Sequence, residues 1–203
     1  MLALQGGFAV HERVLGELGA AVREVRTPDD LDALDGLVLP GGESTTMTLG
    51  VQREGLAEPL RALAAAGTPM LGTCAGLILL DRDHLGLMDI ASERNAFGRQ
   101  VHSFEEELTF ADLEGGPVRA VFIRAPWIRD AGPQVEVLAS VDGHGVAARQ
   151  GRLLVLSFHP ELGDDRRLHE RFLADVRAGR GTVSGRSEDA LADSADVERR
   201  EDA

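Results

Sequence analysis

Unbroken apolar blocks, each stopped by glycine or proline, mark the first eighty residues. Met1 to Gln5, Leu37-Val38-Leu39 and Met70 to Gly72 carry no polar alternation, as expected of strands covered on both faces. Ala21 to Val25 reads as another strand. Between these blocks the period lengthens. In Phe8 to Leu18, Val10, Val14, Leu15 and Leu18 share one face, which predicts a helix. Leu56 to Ala66 is also helical, with Pro59 tolerable only in the first turn, and Ala75 to Leu80 is a short helix after the Met70 strand. Strands alternating with helices predict a parallel sheet sandwiched between helical layers.

The second half changes character. Val101 to Phe110, Val118 to Arg124, Val135 to Val141, Val146 to Gln150 and Leu153 to Phe158 read as strands, with Gln150-Gly151-Arg152 a hairpin turn. Leu168 to Val176 closes the pattern as an amphipathic helix. The prediction is an α/β three-layer sandwich around a mixed, mostly parallel sheet. Residues 1–177 form one domain. The stretch 178–203 holds seven acidic residues and four Arg with isolated Val183, Leu191 and Val197, and is expected to be a disordered acidic tail.

Composition narrows the function. Net charge is −13 over 203 residues and every basic residue is Arg. Nucleic acid is therefore excluded as a main partner, and a phosphate-loop or Schiff-base lysine is ruled out. No apolar run approaches the ~20 residues of a membrane helix. A single cysteine forbids an internal disulfide and fits a cytoplasmic setting, and no export signal is evident.

That cysteine lies in Gly72-Thr73-Cys74-Ala75-Gly76, between an apolar strand and a helix. Alone, Cys74 reads more readily as a small buried hydrophobe than as a nucleophile. The flanking glycines favour a sharp elbow that exposes a nucleophile and aims helix-start N–H groups at its target. Downstream, Ser157-Phe158-His159-Pro160-Glu161 offers a base and an orienting carboxylate. His159 and Glu161, two apart in an extended segment, would point the same way. A third loop, Pro40-Gly41-Gly42-Glu43-Ser44-Thr45-Thr46, is either an ordinary turn with helix-capping hydroxyls or an oxyanion donor opposite Cys74. All three loops follow apolar strands and are expected to meet at the carboxyl edge of the sheet. The remaining histidines, His11, His84, His102, His144 and His169, read as surface residues. No cluster has zinc-like spacing, and Gly6-Gly7 does not make a dinucleotide fingerprint.

Six segments in order carry a resemblance: Leu2-Ala3-Leu4-Gln5-Gly6, Leu39 to Met47, Gly72 to Ile78, Arg94-Asn95-Ala96-Phe97-Gly98-Arg99-Gln100, Phe122-Ile123-Arg124-Ala125-Pro126 and Ser157 to Leu162. Across residues 1–177 the chain closely resembles the glutaminase subunits of pyridoxal 5′-phosphate synthase, a class I glutamine amidotransferase family with a flavodoxin-like core. The elbow and His-Pro-Glu are shared by many class I glutaminases; the Glu43 and Arg94 segments are more specific. The resemblance implies hydrolysis of L-glutamine to L-glutamate and ammonia without cofactor or metal. It implies a partner too: a (β/α)₈ synthase subunit receives the ammonia and activates the glutaminase by reshaping the Gly-Gly loop. By the same resemblance, Cys74 is the nucleophile, His159 the acid and base, and Glu161 its orienter. Gly42 and Ala75 supply oxyanion N–H groups, and Gly41, Gly42, Glu43, Arg94, Ile123 and Arg124 hold glutamine. A glutaminase of histidine biosynthesis and a non-catalytic regulatory protein are the alternatives. The Leu80 to His84 segment is shorter than is usual in the family.

Overall fold

The computed structural model describes residues 1–94 and 103–179. In chain order the first half comprises α1 (Phe8–Glu17), β1 (Leu37–Leu39), α2 (Ser44–Arg53), α3 (Ala57–Ala65), β2 (Met70–Thr73) and α4 (Ala75–Leu80). The second half comprises β3 (Ile90–Glu93), β4 (Ser103–Leu108), β5 (Val118–Ile123), β6 (Trp127–Ala131), β7 (Glu136–Val141), β8 (His144–Gln150) and β9 (Leu153–Leu156). A closing helix, α5, spans 167–179.

The main sheet has seven strands in the order β1-β2-β9-β8-β6-β3, with β7 also on β8. It is mixed, as expected. β1, β2 and β9 run parallel, with Leu37 beside Met70, Met70 beside Leu153 and Thr73 beside Leu156. β8, β7, β6 and β3 continue it antiparallel, and the β8–β9 hairpin turns at Gly151-Arg152, closing Gln150 on Leu153. Next to β1, Met1 to Ala3 extend the parallel half: Leu2 N–H donates to the Val38 carbonyl and Ala3 N–H to that of Val25. The two strands expected over Met1 to Gln5 and Ala21 to Val25 thus shrink to one bridge, Leu2 with Val25.

Strand alternation builds a core on each face of the sheet. Leu37, Leu39, Met70, Leu153 and Val155 pack with Met47 and Val51 of α2, Leu60 of α3 and Leu77 of α4. Val38, Leu71, Leu154 and Leu156 pack on the other face with Leu15 of α1 and with Leu168, Phe172 and Leu173. Side chains of this kind, fully removed from water, contribute about 1.5–3 kcal/mol each. The same core supports a two-stranded sheet of β4 and β5, in which Phe104 stacks on Phe122 with ring centroids 4.5 Å apart.

Three elements, β3, β6 and α2, depart from the expected pattern. β3 and β6 are polar and brief, and a register shift between Ala91 and Ser92 breaks their alternation. α2 begins at Ser44, so Ser44-Thr45-Thr46 form its first turn while the cap is Glu43, whose carboxylate accepts from the Thr45 and Thr46 N–H groups. Trp127, at the start of β6, lies flat on His144 of β8, ring centroids 3.6 Å apart. The segment Asn95 to His102, and everything beyond Gly179 in the expected tail, lie outside the described residues.

Candidate active site

Because β1, β2 and β9 are parallel neighbours, the loops leaving their carboxyl ends emerge side by side. These are the Gly41-Gly42 loop, the Cys74 elbow and the His159 loop. Cys74 has φ 49° and ψ −105°, a left-handed conformation that costs a non-glycine residue about 1–3 kcal/mol. Two contacts fix it. Its N–H donates to the Leu156 carbonyl at 2.8 Å, and the following helix α4 lies almost against β1 because residue 76 is glycine. A Cβ there would overlap the Leu39 carbonyl oxygen and stand 3.1 Å from the Leu39 Cβ. The Ala75 N–H, at the first turn of α4, has no intrahelical acceptor. α4 is fully buried and ends in a turn where the buried Asp81 carboxylate accepts from the Asp83 N–H and contacts His84 Nδ1 at 2.7 Å.

His159 leaves β9 with its N–H bonded to the Val121 carbonyl of β5 at 2.9 Å. The sequence predicts Glu161 beside His159 through an extended segment. Instead, Pro160-Glu161-Leu162 is one turn of 3-10 helix, which Pro160 opens at a position needing no N–H. The contact survives: His159 Nδ1 lies 2.7 Å from Glu161 Oε1. Burial opposes charge on the imidazole. Its interactions with Cys74 and with the Glu161 carboxylate outweigh it and hold His159 well above its ordinary range. Burial likewise opposes the carboxylate, but the adjoining imidazoles of His11 and His159 hold Glu161 below the usual carboxylate range. Nδ1–H is therefore directed at Glu161, leaving Nε2 for Cys74.

Gly41 packs between the nucleophile and the base: a Cβ at this position would lie 3.3 Å from that of Cys74 and overlap His159 Cε1. The loop is tied down at two points. The Gly41 carbonyl accepts from Gly7 N–H at 2.9 Å, and Glu43 N–H donates to Gln5 Oε1 at 2.7 Å. Together these loops border a cleft of about 610 Å³ lined by Gly41, Gly42, Glu43, Cys74, Ala75, Arg94, Ile123, Arg124 and His159, among others. Every residue proposed above for catalysis, oxyanion or substrate contact lines it except Glu161, which stands behind His159. Arg94 Nη1 donates to Ser44 Oγ at 3.1 Å and Thr45 Oγ1 at 3.0 Å, and no carboxylate pairs with it among the described residues. Ile123 and Arg124 arrive from β5, with Phe122 anchored beneath them and Arg124 at φ 44°. The Ile123 carbonyl is 4.0 Å from the sulfur.

Two histidines expected on the surface are not there. His11 and His169 have no exposed surface, and His11 Nε2 lies 3.2 Å from Glu161 Oε2. Their helical periods held the missed signal. His11 falls three and four residues before Val14 and Leu15, and His169 three and four before Phe172 and Leu173, so both sit on apolar stripes. His84 and His144 are partly exposed, and His102 lies outside the described residues.

The pyridoxal 5′-phosphate synthase subunit PdxT of Acidothermus cellulolyticus is 51% identical, the match covering 88% of this chain and 93% of that protein. PdxT of Geobacillus kaustophilus is 55% identical, with 87% and 93% covered. A crystal structure of a glutamine amidotransferase superposes with a TM-score of 0.81 at 44% identity, covering 86% of this chain and 96% of that one. A putative GMP synthase component from Thermoplasma acidophilum shares the fold at 17% identity, with a TM-score of 0.72 and 90% and 95% covered. With the family model matched from residue 1 to 178, the chain belongs to the SNO glutamine amidotransferase family.

Proposed function

We propose that this chain is the glutaminase subunit of a pyridoxal 5′-phosphate synthase, hydrolysing L-glutamine to L-glutamate and ammonia and passing the ammonia to a separate synthase subunit. The observation that carries the chemistry is Cys74 and His159 lining one cleft, with Glu161 behind the imidazole and His159 Nδ1 fixed 2.7 Å from its Oε1. PdxT relatives near half identity support the choice of synthase.

In this reading Arg94 offers guanidinium N–H groups to the substrate α-carboxylate. Glu43, with Gly41, Gly42, Ile123 and Arg124, frames the amino-acid end. His159 takes the proton of Cys74, and the sulfur attacks the side-chain amide carbon. The Gly42 and Ala75 N–H groups stabilise the resulting oxyanion. His159 returns the proton to the amide nitrogen, the C–N bond breaks, and ammonia leaves a thioester. Water then gives a proton to His159 and attacks the thioester carbon. The C–S bond breaks, glutamate departs, and the proton returns to sulfur. The capping bonds on Glu43, from Thr46 first and then Thr45, push its carboxyl down to about 2, so it stays anionic toward a substrate ammonium.

The test mixes the purified chain with its cognate synthase and measures glutamate release. Activity should require the synthase and fall by about 10³-fold or more in Cys74→Ala. Equal release by Cys74→Ala would remove the nucleophile. Tight synthase binding with no glutamate would instead assign a regulatory role.

A further inference from the structure

Glu161 has a second oxygen that the steps above leave unused. Oε1 receives His159 Nδ1–H, whereas Oε2 is sealed from solvent and has no well-aligned hydrogen bond. The facing nitrogen is Nε2 of His11 on α1, 3.2 Å away and also 3.1 Å from Thr73 Oγ1. On its other side, His11 Nδ1 lies 3.0 Å from Nε2 of His169 on α5. His169 Nδ1 is enclosed without a partner among the described residues. Four side chains from α1, α5 and the rim thus stand in one buried file: His169, His11, Glu161, His159.

One distribution of hydrogens satisfies the file. An ionised Glu161 only accepts, so both facing nitrogens bring a hydrogen, Nδ1–H of His159 and Nε2–H of His11. His11 Nδ1 is then the acceptor for Nε2–H of His169, and the one unpartnered atom is an acceptor, His169 Nδ1. Burial pushes His169 down to about 3 and keeps it neutral, as this requires. The titratable or charged groups facing the file are Cys74 at the rim and Arg166 at the entry to α5.

We propose that His11 is a positioning residue for the triad: its Nε2–H holds the second oxygen of Glu161 and fixes the carboxylate that aligns His159, while Thr73 and His169 fix the ring of His11. Removing a donor from a buried carboxylate raises the pH at which it is neutralised. A neutral Glu161 no longer steadies a charged His159. The inference rests on the glutaminase reading only for its activity readout.

The test follows alkylation of Cys74 by iodoacetamide against pH in the full chain, which needs neither glutamine nor synthase, and glutamate release by the complex in parallel. His11→Leu should move the acid limb of the alkylation profile up by about one pH unit and lower glutamate release by about tenfold or more. His11→Gln, which places an amide donor where Nε2 stood, should restore both. Thr73→Val is isosteric and leaves Nε2 to Glu161 alone, so its acid limb should move to lower pH. A His11→Leu profile that overlays the wild type, or a His11→Gln profile that follows His11→Leu, overturns the proposal. Should His11→Leu fail to fold, Thr73→Val decides, and an undisplaced limb overturns it. A wild-type complex that releases no glutamate would sink the proposed function alone, since the alkylation profiles still judge His11.

Discussion

A methyl group added at Gly41 would meet His159 Nδ1 at 3.1 Å and overlap its Cε1, yet the backbone there needs no left-handed φ. Gly41→Ala is therefore expected to fold and to displace the imidazole. Glutamate release by the complex should drop about 10²-fold, with a melting temperature within a few degrees of wild type. Cys74 gives the opposite lesson, because its backbone is strained whatever the side chain does. Cys74→Gly relieves that strain, and Cys74→Ala does not. Both should be inactive, and denaturant midpoints should place the glycine variant about 1 kcal/mol above the alanine one. At this scale the rim residues were legible in the sequence, because each follows an apolar strand and is flanked by glycine or proline. His11 and His169 were not: a histidine on an amphipathic helix looks like a polar residue until its register is set against the apolar stripe.

Elements are held to one another by backbone approach as much as by side chains. α4 and β1 come so close at Gly76 that no side chain fits between them. Gly76→Ala should push α4 from the sheet, cost about 3 kcal/mol or more in urea unfolding, and remove activity by moving the elbow. The parallel strands β1, β2 and β9 were readable because each is apolar on both faces. β3 and β6 were not, because their sequences, Ile-Ala-Ser-Glu and Trp-Ile-Arg-Asp-Ala, are too polar and too irregular in register for a period-two pattern. The 3-10 turn at Pro160 escaped for another reason: proline signals a break, and here the break is itself a helical start.

Over the whole molecule, buried titratable groups couple folding to pH. His159, raised in the fold, contributes stability fully present below its unfolded value of about 6.5 and lost as pH climbs through the folded one. Glu161, lowered, contributes above about 4.5 and loses its share as pH falls. His169 is lowered to about 3, so the unfolded chain binds its proton first and the fold weakens as pH drops below about 6.5. Between pH 7.5 and pH 5 this one ring should cost about 2 kcal/mol. His169→Gln should lose less stability than wild type over that interval, measured as the difference in urea midpoints. The sole tryptophan rests face to face on His144 in the antiparallel half of the sheet. Its emission is thus a reporter with a fixed address. The signal therefore follows the packing of β6 on β8 and, through the adjoining Pro126, the rim of the cleft that holds the thiol, so intrinsic fluorescence reads the antiparallel wall of the site without any label.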